Sequence, residues 1–347
     1  MRTRITSLFN ISAPILLPGM TEISVPRLVA AVSNAGALGL LASASLPPAA
    51  LREAIGETRS LTDAPFGVGI PLLVPGAQEK VDVAIAEQVP IVNFALGRGN
   101  EIVQRVHEYG GHVIATVTTE RHARAAIDAG ADALLVTGHE AAGHGSAATS
   151  LVLIPAFVDQ FDVPIIAAGG FADGRGLAAA LSLGADAVAM GTRFSVVDES
   201  PMHAESKRAV LERGIGATVY TDRFDGMDCR IMETPASQRL LHEQPNYLAA
   251  FKSAHQMAGA TGRPLHKLYA KVLRGGPSQV MRLSRMADAA QAMRRALVDG
   301  DHKTGIQPVG QVQGLIAEQT NAAQVIERTV AEARLTISRA AEQLAEA

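Results

Sequence analysis

The chain has 347 residues, with 31 Lys+Arg against 34 Asp+Glu and a formal net charge of −3. With 48% apolar and only 19% charged residues it has the composition of a folding chain, and it lacks the basic surplus of a general nucleic-acid binder. A single cysteine, Cys229, excludes an intrachain disulfide framework, and the absence of tryptophan leaves little for base stacking.

At about 100–200 residues per domain, the length fits two domains or one large α/β barrel with an insertion. The uncharged stretch 5–21 is interrupted by Asn10, Ser12 and Pro14 and lacks the cleavage site of a secretory signal. A second uncharged run, 28–51, contains Asn34, Gly36, Gly39, Pro47 and Pro48 and reads as helix, turn, strand and turn rather than a bilayer span. The expectation is a cytoplasmic protein with no membrane segment.

Short apolar runs recur at 15–17, 38–41, 66–70, 91–94, 113–117, 133–136, 164–167 and 187–190, their starts about 20 to 31 residues apart. That spacing is one βα unit, and runs that are apolar throughout suit parallel strands covered on both faces. Amphipathic stretches lie between them, as at 101–109, 119–129 and 173–183. Two junctions repeat almost verbatim, Gly130-Ala-Asp-Ala133 and Gly184-Ala-Asp-Ala187. In each, a glycine able to take a left-handed conformation ends a helix just before a strand. Eight repeats predict an α/β fold, a (β/α)8 TIM barrel, with an open doubly wound sheet as the competing arrangement.

Past residue 200 the rhythm changes. Residues 201–305 read as a mainly helical substrate or lid domain, with helices at 246–257 and 286–297 and a hairpin pairing Val219–Tyr220 with 230–232 around Asp225-Gly226. The barrel would comprise 1–200 plus 306–347, its ring completed by the long amphipathic tail. The insertion would serve as a lid over the barrel mouth or as the surface of a homodimer.

Barrel enzymes carry their chemistry on the loops after the strands. After the seventh and eighth runs come Ala168-Gly169-Gly170-Phe171 and Met190-Gly191-Thr192-Arg193, whose glycines let backbone N–H groups approach a ligand at the positions where this fold holds phosphate. After the sixth comes the segment 137–146, with His139, Glu140 and His144. A spacing of five positions between the histidines would place them about 140° apart on a helix, which argues against a metal site. His144, deep in the glycine-rich turn, suits general acid–base work, while Glu140 either orients a partner or caps the following helix. After the first run, Gly19 and Met20 read either as a flat contact for a ring system or as ordinary core.

The motifs Pro14-Ile-Leu-Leu-Pro-Gly-Met20, Asn34-Ala-Gly-Ala-Leu-Gly39, Pro65-Phe-Gly-Val68, Gly138-His-Glu-Ala-Ala-Gly-His144, Ala167-Ala-Gly-Gly-Phe-Ala-Asp-Gly174, Ala189-Met-Gly-Thr-Arg-Phe194 and Gly310-Gln-Val-Gln-Gly-Leu-Ile316 resemble the nitronate monooxygenase (2-nitropropane dioxygenase-like) family of FMN-dependent barrels. The resemblance implies one FMN, its phosphate on Gly169, Gly170, Gly191 and Thr192. It places Gly19 and Met20 against the isoalloxazine ring and makes His144 the catalytic base. Gly69, Thr137, Ala142, Gly143, Ala189 and Met190 complete the expected cofactor contacts, with no metal. The chain departs from the family at Leu17-Pro18, where Gln-Gly is usual, and at Gly69, Thr137 and Ala142, where Asn, Gln and Gly are usual.

The activity so implied is oxidation of a small nitroalkane or nitronate with O2 to a carbonyl compound and nitrite. The alternative keeps FMN but lets NAD(P)H reduce it, with an enoyl or other CoA or carrier thioester, or a quinone, as acceptor. The segment Val219-Tyr-Thr-Asp-Arg-Phe-Asp-Gly-Met227, with Ala296-Leu-Val-Asp-Gly300, is most similar to flavin reductases acting on CoA thioesters in steroid-ring degradation. The basic residues Arg230, Arg263, Lys267, Lys271 and Arg274 would then face a phosphorylated carrier. A flavin-free barrel binding a sugar phosphate and a non-catalytic binding protein are the remaining readings.

Overall fold

A computed structural model of the chain describes residues 1–74, 76–243, 285–286 and 288–345. Eight parallel strands close into a barrel: β1 (Ile15–Leu17), β2 (Leu38–Ala42), β3 (Phe66–Pro71), β4 (Ile91–Ala95), β5 (His112–Val117), β6 (Ala133–Thr137), β7 (Ile165–Ala168) and β8 (Ala187–Ala189). Each begins and ends within one residue of the apolar run that predicts it. Pairing of Leu16 with both Leu38 and Ala189 joins β1 to β2 and β8, which excludes the open sheet.

The repeated junctions end their helices as expected. Gly130 and Gly184 have φ of +93° and +90°, values an L side chain rarely adopts, and the N–H of Ala131 and Ala185 turns back to Ala126 O and Ala180 O, both at 3.0 Å. The aspartate of each repeat has a further use. Asp132 accepts the Val113 N–H at 2.7 Å and Asp186 accepts that of Ile165 at 3.1 Å, so each carboxylate fastens the start of one strand to the next.

Successive strand residues alternate between two apolar clusters. Leu16, Leu38, Leu40, Ile91, Ile114, Ala133, Leu135, Ile166, Ala168, Ala187 and Ala189 fill the lumen, while Leu17, Leu41, Val68, Val92, Val113, Val136, Ala167 and Val188 face the helices. The N-terminal segment belongs to the barrel. Its helix Arg4–Leu8 and the turn after it bring Ile5, Phe9 and Ile11 into the lumen cluster, and the Arg4 guanidinium grips both oxygens of Asp186 at 3.0 and 2.8 Å.

The C-terminal helix Ala322–Ala345 packs on the helices Gly174–Ser182 and Pro26–Asn34, in the outer ring between the last and first repeats. A side chain at Gly174 would lie 2.5 Å from Ala333 N, so the two helices approach there backbone to backbone.

After the barrel, Thr218–Thr221 (β9) and Cys229–Met232 (β10) form the expected hairpin, two residues longer than predicted in its first strand. Phe224, Cys229, Ile231 and Ala236 pack with Ala289, Ala292 and Ile306 into a separate small core. The predicted helix at 286–297 is present over 288–297. The helix expected at 246–257, and Arg263, Lys267, Lys271 and Arg274, lie outside the described residues. Among the described residues no helix is long and apolar enough to cross a membrane.

Candidate active site

β7 and β8 run in register, Ala168 beside Ala189, so the loops that follow them leave the barrel side by side. Gly169 and Gly170 both take left-handed φ, +101° and +85°. Among the described residues, the N–H groups of Gly169, Gly170, Gly191 and Thr192 donate to no protein acceptor. The three glycines are half-buried and Thr192 is buried, all four on the loops that leave the barrel after β7 and β8. Unpaired amides at a mouth are costly in a sealed core and useful only where an anion or water meets them. Thr192 Oγ1 accepts the Gly310 N–H at 3.0 Å, which brings the Gly310 segment to the cradle and leaves the threonine hydroxyl without an acceptor among the described residues.

Glu140 braces this cradle. Its carboxylate accepts the Ser150 N–H at 3.0 Å and caps the helix Ser150–Gln160, the second of the two roles its position suggests. The Ser150 hydroxyl lies 2.8 Å from Gly169 O, and Gln311 N–H reaches Glu140 O at 3.0 Å. One residue therefore joins the loops after β6 and β7 to the C-terminal segment.

His139 and His144 part company. The His139 ring lies tilted by 50° against Tyr220, centroids 4.3 Å apart, and the His139 carbonyl accepts from the Arg230 guanidinium at 3.0 Å. Arg230 is buried, its other bond goes to Thr218 Oγ1, and desolvation holds its pKa below the ordinary value despite the charge of Glu140. It therefore braces the His139 turn and does not face a carrier. Among the described residues, no three His, Cys, Asp or Glu side chains converge as a metal group would need.

His144 Nε2 lies 2.7 Å from Asp225 Oδ2, on the loop between β9 and β10. The carboxylate fixes the ring proton on Nε2 and leaves Nδ1 as the basic nitrogen. The Asp225 loop is itself set, since Asp225 Oδ1 accepts the Met227 N–H at 3.0 Å. Sequence reasoning places Asp225 in a hairpin turn and misses this role. The only local signal is an Asp-Gly turn, which any hairpin would show.

The other expected positions are spread around the mouth. Gly19 and Gly69 meet face to face: a Cβ on Gly19 would lie 3.3 Å from Gly69 Cα. Met20 packs beside Gly191, where a Cβ would lie 3.4 Å from its sulfur. Thr137 and Ala189 end β6 and β8, and Gly143 is exposed with open space around it. Ala142 O accepts from Arg230 N. The Met190 side chain is fully buried on the helix side of the barrel, so it offers the mouth only backbone. Asn93 and Thr116, which reasoning from sequence does not single out, place polar side chains at the same end of the lumen.

Residues 2–80 and 70–332 match the family model described as nitronate monooxygenase. The chain belongs to the nitronate monooxygenase family. It is a flavin-dependent oxidoreductase of that family, as its motifs lead one to expect.

Among curated proteins it is 35% identical over 338 residues, 96% of each chain, to the (3aS,4S,5R,7aS)-5-hydroxy-7a-methyl-1-oxo-octahydro-1H-indene-4-carboxyl-CoA dehydrogenase of Rhodococcus jostii. It is 31% identical to a probable nitronate monooxygenase of Staphylococcus saprophyticus, over 71% of this chain and 82% of that one. Among solved structures it matches FabK from Thermotoga maritima with a TM-score of 0.84 and 36% identity, covering 99% of both chains.

Proposed function

We propose that the chain is an FMN-dependent oxidoreductase whose substrate is a CoA thioester of a hydroxylated alicyclic acid; it shares the thioester with the alternative the sequence suggests but makes it the electron donor rather than the acceptor. One observation carries this reading. Likeness to the CoA-thioester dehydrogenase runs through 96% of both chains, whereas the nitronate monooxygenase relative matches 71% of this one. The family match over residues 2–332 supports nitronate oxidation as the second reading.

The residues fit FMN. The unpaired amides of Gly169, Gly170, Gly191 and Thr192 would hold its phosphate, and Met20, packed beside Gly191 at the same rim, would meet the ring. Bound FMN supplies a two-electron acceptor beside the substrate. Oxidising a secondary alcohol to a ketone breaks its O–H and C–H bonds and releases a proton from oxygen and a hydride from carbon, the hydride carrying the electron pair that FMN would accept. His144 takes that proton at Nδ1, and Asp225 holds the ring so that the imidazolium formed keeps a carboxylate partner at Nε2. Residues 201–305 serve as the substrate unit, since their hairpin delivers Asp225.

The test is anaerobic mixing of the FMN-loaded protein with 2-hydroxycyclohexanecarboxyl-CoA, its free acid, propyl-2-nitronate, NADH and NADPH. The expected result is bleaching of the flavin's visible absorption by the thioester and not by the free acid. Bleaching by the nitronate alone would overturn the thioester reading and establish the other.

A further inference from the structure

β3 and β4 pair in register with Gly69 opposite Asn93. Both belong to the lumen side, because Asn93 lies two residues after Ile91 on the same face of its strand. Gly69 is not forced by sterics. A Cβ there would meet Gly19 Cα at 3.4 Å, Leu41 O at 3.7 Å and Asn93 Oδ1 at 3.8 Å, all ordinary contacts. A Cβ has room at position 69, none is present, and the nearest side-chain polar atom is Asn93 Oδ1 on the neighbouring strand.

Asn93 is buried, and its orientation is decided by its partners. Its Nδ2 donates to Ile114 O at 3.1 Å and to Thr116 Oγ1 at 2.9 Å. Ile114 O can only accept, so the nitrogen must face β5, and both amide hydrogens are used. Oδ1 has one long contact, 3.3 Å from the Thr116 hydroxyl, and keeps a lone pair. Thr116 is half-buried between two buried neighbours in β5, which puts this amide at the open end of the lumen rather than in its packed interior.

We infer that Asn93 is the residue that grips the polar edge of the flavin ring, its Oδ1 accepting the ring's imide N–H beside Gly69. The inference rests on the FMN reading above. The strand pairing lets position 93 supply from one strand over the amide that position 69 does not carry, and Thr116 holds it in place from β5. Asn93 is a positioning residue for the ring, distinct from the amides that take the phosphate.

Apoprotein titrated with FMN and with riboflavin tests the assignment, read by quenching of flavin fluorescence. One hydrogen bond to the ring is worth about three- to tenfold in affinity, so Asn93→Ala should weaken both ligands by the same factor. A phosphate contact would weaken FMN alone. Asn93→Ser keeps a donor for Ile114 O and serves where the alanine variant fails to fold. Gly69→Asn added to Asn93→Ser should restore affinity for both ligands. Unchanged affinity in a folded Asn93 variant would overturn the inference while leaving FMN binding intact. Failure of the wild-type apoprotein to bind FMN would instead overturn the cofactor reading itself.

Discussion

His144 and Asp225 stand 81 residues apart in the chain, yet their side chains meet at 2.7 Å across the barrel mouth. The histidine sits on the loop after β6 and the aspartate on the hairpin that follows the barrel, so the insertion completes the proposed base. The pair is only partly shielded, with side chains 31% and 17% exposed, which leaves the imidazole reachable by a substrate. His144→Ala should lower turnover by roughly 10²–10⁴-fold, the usual contribution of a general base. Asp225→Asn should cost part of that, about tenfold or more, without weakening FMN binding, because it disturbs the ring's tautomer and not the cradle. Steady-state rates beside FMN titrations check both, and equal FMN loss in the Asp225 variant would count against the pairing.

The two cradle glycines should respond differently to alanine. At Gly169 a Cβ would lie 3.0 Å from Ser150 Oγ and 3.1 Å from Gly138 O, on a backbone at φ +101°. Gly169→Ala should therefore cost about 1–3 kcal/mol of stability in chemical denaturation. At Gly170 the nearest atom is Glu140 Cβ at 3.5 Å, so only the left-handed backbone is penalised, by about 1–2 kcal/mol. If these amides hold the phosphate, Gly170→Ala should weaken FMN and spare riboflavin. Equal weakening of the two ligands would contradict the phosphate assignment.

The strands were legible because a parallel strand covered on both faces needs apolar residues throughout, and eight such runs stand out between amphipathic stretches. Helix ends were legible for a similar local reason: Gly130 and Gly184 do at each junction what only glycine does without strain. Closure was not legible, since β1 meets β8 through a contact about 170 residues long that no local pattern announces. The same limit hid Asp225 and Asn93. One acts through a distant loop, and the other has meaning only once register sets it beside Gly69.

The N-terminal segment shows that limit at the opposite end of the barrel. Its apolar residues invite comparison with a targeting peptide, but Ile5 and Phe9 are buried against lumen side chains of several strands. Truncating an aromatic there leaves a hole that the rigid strand ends cannot fill. Phe9→Ala should cost about 3–5 kcal/mol, read from the urea midpoint, with the affinity of the folded protein for FMN unchanged. A loss under about 1 kcal/mol would mean that the segment does not seal the lumen.

His302 gives the fold a pH dependence separate from catalysis. Its Nε2 lies 2.9 Å from Ser206 Oγ, whose own hydrogen goes to Ala296 O at 2.5 Å, so the imidazole is the donor in that pair. Its Nδ1 is buried and has no partner among the described residues, so a second ring proton would enter without an acceptor. Burial lowers the His302 pKa from the ordinary 6.5; the nearby Arg213 and His203 lower it further, and Asp301 and Glu205 offset part of the shift. The unfolded chain thus binds the proton first as pH falls. Stability from this group is complete above the ordinary value and declines as pH drops below it toward the lowered folded value, with a slope of at most about 1.4 kcal/mol per pH unit. Urea midpoints measured between roughly pH 5 and 8 should show that decline, and His302→Gln, which keeps a donor for Ser206, should flatten it. An equally steep decline in the variant would assign the proton to another group.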